Sequence, residues 1–296
     1  MSDPPHVGPH DVVPFRPERN ATIDTLRWAK KRYEVVSLLE IDVTGARKAI
    51  RAHRTRTGQG LSFTAWVVSC IAKASAEHPG VHAIRRGKRH LVRFHEVDIA
   101  VVIERAIGAD AEKETLPMPY VVRKANEKTP YQIHSELRQA QTSNVKAGTA
   151  ALEAGPRPWL QSMFFRLPAW LRDLVLWRWL LRNPARIKKT MGTIAVTATG
   201  MAAPGLLAWG IPLSIHPLAI GIGGIAQRAT ANGSVDVLAL TVVFDHAVTD
   251  GAPVGRFVHR LHQLMIQADG LAERGTGNNE AESNGVAGQP APEYGV

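Results

Sequence analysis

Phe244-Asp245-His246-Ala247-Val248-Thr249-Asp250-Gly251 follows an apolar run, Val235–Phe244, and precedes an amphipathic run that begins near Pro253. The first run is rich in β-branched and apolar residues, as a strand buried on both faces should be. In the second, Val254, Phe257, Val258, Leu261, Leu264 and Met265 recur at helical spacing, with Arg256, Arg260 and Gln263 on other faces. Pro253 suits a helix's first turn. The quoted stretch is therefore a strand-to-helix junction, a place from which side chains project into clefts. It carries a histidine and an aspartate four positions apart. An imidazole takes a proton from a thiol or hydroxyl near neutral pH. Alone, the H-x-x-x-D spacing also fits a histidine with a purely structural role.

Working outward, apolar strand patterns alternate with amphipathic helices. Leu61–Glu77 and Thr129–Ala147 read as helices, and Ile215–Gln227 as a strand joined to Val235–Phe244 across Asn232-Gly233, a favourable hairpin dipeptide. The pattern predicts an α/β two-layer sandwich with a mixed sheet. Residues 1–18 carry five prolines and read as an extended arm. Residues 19–268 form the folded domain. Residues 269–296 are poor in apolar side chains and read as a disordered tail, too polar to offset ordering entropy.

Several blocks together resemble the catalytic core of the 2-oxoacid dehydrogenase dihydrolipoyl acyltransferases. The junction is similar to that family's D-H-R-x-x-D-G-A, and to the H-H-x-x-x-D-G of the chloramphenicol acetyltransferases, which share the fold. Leu39–Thr44 resembles the first core strand, Ala72–Pro79 the first long helix with its terminal His-Pro, and Val97–Val102 the next strand. Pro119–Ala125 resembles a P-V-I-R-x-A segment, Gly192–Thr197 a G-T-F-T-I-S strand, and Ile220–Ile225 a glycine-bearing apolar strand. The blocks keep the family's order over roughly residues 20–268. The arginine that usually follows the histidine is Ala247 here, and neither a lipoyl-bearing nor a subunit-binding segment is recognisable ahead of the core.

The resemblance implies acyl transfer between coenzyme A and a thiol or hydroxyl acceptor. His246 would be the general base, Thr197 the hydroxyl that meets the oxyanion, and Asp250 a catalytic acid or an orienting group. Asp245 would anchor the loop, and Gly251 would give freedom for a tight turn. Thr199 is the neighbouring alternative to Thr197. The resemblance further implies a homotrimer with sites between chains. Coenzyme A or acyl-coenzyme A would be substrate, with no tightly bound cofactor, and a lipoyl group would come from another chain. Two rival readings are a catalytically silent trimeric scaffold and a membrane-surface acyltransferase.

The formal net charge is +10. The basic clusters Arg51–Arg56 and Arg85–His90 are short and lack interleaved aromatics, which argues against nucleic acid. The single cysteine, Cys70, excludes an intrachain disulfide and a cysteine metal cluster. It sits in an apolar run and reads as a buried small residue. His78, His82, His90, His95, His216, His259 and His262 are scattered and suggest no metal site. The N-terminus lacks a charged-then-apolar secretory pattern, so a cytoplasmic location, with or without membrane association, is expected.

Residues 157–189 are a departure from the family: an insertion holding four of the seven tryptophans, interrupted by arginines and Pro168. It is too broken to span a bilayer. Three roles stay open for it: covering the trimer or acyl pocket, lying in a membrane interface, or docking a partner protein.

Overall fold

A computed structural model of the chain describes residues 8–12, 15, 19–107, 114–142, 164, 166–200, 204–231 and 233–271. The expected arm and tail lie mostly outside these residues, as does the start of the insertion.

Six strands form one mixed sheet: β1 (Glu34–Asp42), β4 (Ile99–Ile107), β5 (Glu114–Val122), β6 (Ile194–Ala198), β7 (Leu218–Thr230) and β8 (Gly233–Asp245). Their order is β1-β8-β7-β6-β4-β5. The β4–β6 and β6–β7 pairs are parallel and the others antiparallel. Two short strands, β2 (Ile84–Arg86) and β3 (His90–Val92), pair separately. This is the α/β sandwich expected from the sequence.

Alternation along each strand divides the sheet into two faces. Ile41, Ile99, Val101, Val196, Ile220, Leu240 and Phe244 face a layer of helices: α2 (Thr44–Thr57), α3 (Phe63–Glu77), α4 (Pro130–Thr142) and α8 (Gly251–Ile266). Helix α3 is buried nearly all round, as its unbroken apolar sequence requires. Ser62 caps it by accepting a hydrogen bond from the Ala65 N–H. Burial pushes the Cys70 thiol pKa up, which suits packing and not nucleophilic chemistry.

The other face is covered differently. Backbone from Leu206 to Pro212 lies directly on β7, and glycines make that approach possible. A Cβ at Gly221 would stand 2.2 Å from the Gly210 carbonyl oxygen, and one at Gly223 2.1 Å from that of Ala208. The indole of Trp209 donates to the Leu39 carbonyl at 3.1 Å, carrying the segment across to β1.

One domain boundary differs from the sequence reading. Asp269 to Leu271, placed in the tail, belong to the folded unit: the Trp66 indole donates to the Asp269 carbonyl at 2.9 Å, and Leu271 is buried in the core. A few apolar contacts in a polar composition fix these residues. The described part of the insertion is helical: α5 (Ala169–Arg172), a π-type turn (Asp173–Trp177), α6 (Arg178–Leu181) and α7 (Pro184–Met191). It packs on the N-terminal helix α1 (Arg19–Ala29) through a second small core of Ala29, Trp177, Leu180 and Ile215.

Candidate active site

Strand β8 delivers the junction. Its last residue, Asp245, pairs with Glu34 at the start of β1. Because the strands are antiparallel, residues just before β1 meet residues just after β8. The Tyr33 carbonyl accepts from the His246 N–H at 2.8 Å, and the Pro217 carbonyl from the Asp245 N–H at 2.9 Å. Arg32 Nη1 donates to Asp245 Oδ2 at 2.7 Å. The other carboxylate oxygen accepts from the Ala247 N–H at 3.0 Å, folding the loop back on the strand end.

Asp245 is therefore a buried carboxylate with a charge partner and a backbone donor, the conditions under which a buried charge is tolerated. Burial lowers the Arg32 guanidinium pKa from its ordinary value, and Asp245 works against that shift. Burial likewise raises the Glu34 carboxyl, opposed by the charge of Arg32. Neither Arg32 nor Tyr33 stands out by sequence spacing, since Arg32 and Asp245 are 213 positions apart. The available signal was the aspartate itself, which needs a cation once β8 is read as buried.

His246 leaves this anchored backbone with its ring half exposed, 53% accessible. Its ring centroid is 6.2 Å from that of Phe244. Asp250 is 81% exposed, with Oδ1 3.7 Å from His246 Nδ1, beyond hydrogen-bond range. Within one chain Asp250 does not hold the imidazole. Gly251 also differs from expectation: it starts α8 without a positive φ, and a Cβ there would meet nothing within 4 Å. A tight turn is not what places glycine at this position.

Thr197 lies elsewhere. It pairs with Gly221 of β7, which pairs with Thr241 of β8. His246 is five residues further along β8 and two strands across. At about 3.3 Å per residue and about 4.8 Å per strand, the separation in one chain is about 19 Å. Thr197 also sits on the sheet face opposite the helices, where Val36, Leu38 and Val102 are exposed. Thr199 is tied to the sheet through its N–H, which donates to the Ile222 carbonyl at 3.0 Å.

Two buried histidines occupy structural positions. His216 Nδ1 lies 2.6 Å from the Ser214 hydroxyl and Nε2 2.8 Å from the Met191 carbonyl, so Nε2 carries the proton and Nδ1 accepts. His82 Nδ1 lies 3.0 Å from the Thr193 hydroxyl. Burial pushes both pKa values down to about 4.

A recess of about 230 Å³ adjoins the anchored loop. Trp28, Ile84, Leu181, Ile187 and Ile215 give it apolar walls, and Asp245 and Val248 border it. A larger recess of about 520 Å³, lined by Glu96, Asp98, Arg123 and Lys124, includes no residue of the His246 loop. Its Arg123 and Lys124 are tied to Asp98 and Glu96.

The sequence model described as 2-oxoacid dehydrogenases acyltransferase (catalytic domain) matches residues 7–153. Over that stretch, just under half of its length, the chain is similar to the 2-oxoacid dehydrogenase acyltransferase family. The matched stretch ends ahead of β6 and His246, and the structural likeness extends over the remainder. A probable dihydrolipoamide acetyltransferase of Listeria monocytogenes superposes with a TM-score of 0.62 at 18% identity, covering 92% of this chain and 99% of that one. A truncated catalytic core of the 2-oxoacid dehydrogenase multienzyme complex of Thermoplasma acidophilum gives 0.59 at 15%, covering 88% and 99%. The dihydrolipoamide acetyltransferase of Azotobacter vinelandii gives 0.60 at 15%, covering 90% and 97%. Among curated protein sequences none matches. The fold is thus that of the acyltransferase catalytic domains of this family.

Proposed function

We propose that this chain transfers an acyl group between coenzyme A and a thiol or hydroxyl acceptor, with His246 as general base. The observation that carries the reading is the placement of His246. Its backbone is fixed by Tyr33 and by the Arg32–Asp245 pair, while its ring stays accessible. A held backbone and an open imidazole are what general-base catalysis needs.

Nε2 of His246 takes the proton from the acceptor. The acceptor sulfur or oxygen attacks the thioester carbonyl carbon and forms a tetrahedral oxyanion. Collapse breaks the carbon–sulfur bond, and the coenzyme A thiolate leaves with the proton returned by the imidazolium. The reverse direction uses the same groups. Thr197 donates its hydroxyl hydrogen to the oxyanion. The roughly 19 Å between Thr197 and His246 within a chain supports a reading in which neighbouring chains of a homotrimer supply these two groups. The exposed Val36, Leu38 and Val102 on Thr197's face suit that contact. Asp250 orients the imidazole once a neighbouring chain closes over the loop.

Spacing supports the assignment. The Azotobacter vinelandii protein was studied for the role of a serine, a histidine and an asparagine in its catalytic mechanism. There the asparagine follows the histidine by four positions, as Asp250 follows His246. The serine precedes the histidine by 52 positions, against 49 from Thr197 to His246.

The deciding assay is thiol release from a panel of acyl-coenzyme A thioesters, with dihydrolipoamide, a carrier-protein thiol and small hydroxyl compounds as acceptors. His246→Ala is expected to lose about a hundredfold or more in turnover. Near-wild-type turnover by a variant with an unchanged circular dichroism spectrum would remove His246 from the role.

A further inference from the structure

The helices of the insertion present two unlike faces. One is anchored: Arg172 donates through Nε and Nη2 to Asp24 at 2.7 and 2.9 Å, Trp28 donates to Asp173 at 2.9 Å, and Trp177 and Leu180 fill the small core on α1. The other face is open. Trp170, Leu174, Val175 and Trp179 are 69%, 56%, 57% and 52% exposed. The wide π-type turn brings residues four and five apart into line, so these four make one stripe. Exposing two tryptophans beside a leucine and a valine is costly for a surface that meets only water.

The stripe lies in a basic part of the chain. Residues 19–32 and 164–191 hold twelve lysines and arginines against two aspartates, a surplus equal to the whole chain's net charge of +10. Both aspartates are already engaged, Asp24 by Arg172 and Asp173 by Arg178 and Trp28. Lys30, Arg166, Arg182 and Lys189 meet no carboxylate among the described residues. Arg186 stacks over the Trp179 ring at 4.0 Å, placing cation and indole side by side.

We propose that this element seats the protein on the surface of an anionic phospholipid bilayer. The Trp170–Trp179 stripe enters the boundary between headgroups and acyl chains, and the surrounding arginines and lysines meet lipid phosphates. Indoles favour that boundary because one edge is polar and the ring is not. Arginine reaches phosphate while its stem covers apolar surface. The helices lie in the plane and do not cross, since no described helix is long and apolar enough to span. A protein partner would leave the basic surplus unexplained unless it were itself acidic.

The test floats the full-length chain with vesicles of phosphatidylglycerol and phosphatidylcholine, or of phosphatidylcholine alone. No acyl substrate is present, so the result is independent of the acyl-transfer reading. Wild type is expected to float with the anionic vesicles, with a blue-shifted tryptophan emission, and to be released by salt. W170S/W179S should partition about tenfold more weakly, and so should L174S/V175S, which guards against a fold defect in the first pair. R166E/R182E should lose the preference for anionic lipid. Wild type that stays in the dense fractions would overturn the proposal. So would variants that float equally well, or a W170S/W179S chain whose oligomer dissociates in light scattering while its flotation is unchanged. The last outcome would assign the stripe to a second copy.

Discussion

Arg32 and Asp245 form an ion pair at 2.7 Å that ties the residue ahead of His246 to the segment ahead of β1. Both side chains are largely shielded, Asp245 more than Arg32. Removing the guanidinium leaves a buried carboxylate with only the Ala247 N–H as donor. Arg32→Ala is therefore expected to cost about 2–4 kcal/mol in urea unfolding, somewhat less than a fully enclosed pair. Turnover should fall as well, because the loop loses its tether. Arg32→Lys should recover part of both, since it restores charge without the planar fork. Unchanged stability and turnover in Arg32→Ala would mean that β-sheet pairing alone fixes the loop.

The distance between Thr197 and His246 leads to a complementation experiment. A site shared by two chains needs Thr197 from one and His246 from the next. Thr197→Ala should reduce turnover by about a hundredfold, the scale of losing one oxyanion donor. Mixing unfolded Thr197→Ala and His246→Ala chains and refolding them together should recover activity that neither has alone, because some interfaces then carry both native groups. No recovery in mixed trimers, with mixing verified by tagged chains, would confine the site to one chain.

What the sequence disclosed and what it hid divide along physical lines. Val235–Phe244 and Phe63–Glu77 were readable because both are buried over their length and carry continuous apolar residues. The α8 helix was readable because one stripe meets the core. Asp250 and Gly251 were visible as letters, but a spacing of four says nothing of a 3.7 Å gap or of an open α-helical glycine. Arg32 was hidden because its partner is brought near only by the β1–β8 pairing. Trp177 was legible as apolar but not as inward, and Trp179, two residues on, faces outward; the π-type turn breaks the ordinary helical period that would have sorted them.

The two buried histidines predict a pH dependence of stability. In the unfolded chain each takes a proton near its ordinary value of about 6.5. In the folded chain burial holds each neutral down to about pH 4. As pH falls from about 6.5 to about 4 the unfolded state gains protons that the folded state refuses, so stability declines. It does not recover below that window. The slope is about 1.4 kcal/mol per pH unit for each histidine. His82→Gln and His216→Gln should each flatten this part of the curve, even where they lower stability at pH 7. A slope in His216→Gln equal to that of the native chain, followed by urea unfolding between pH 4 and 7, would show that other groups govern the acid limb.

The recess beside Asp245 and Val248 carries the last prediction. Its walls come from α1, from β2 and from the insertion, whose Leu181 and Ile187 close it. Its volume of about 230 Å³ admits a short aliphatic chain. If an acyl group or an apolar acceptor lodges there, each methylene buried is worth about 0.8 kcal/mol, or about fourfold in relative rate. Ile187→Ala deepens the recess and should favour longer chains by about that factor per added methylene. Leu181→Trp fills it and should reverse the order. Both leave His246 and its anchors in place, so the pH dependence of turnover should stay as in the native chain. Trp177 is the wrong target for this test, since it fills the small core under α1 and its loss would unseat the helix. The same chain-length profile in Ile187→Ala, Leu181→Trp and native protein would show that neither substrate enters the recess, and would leave bilayer contact as the insertion's role.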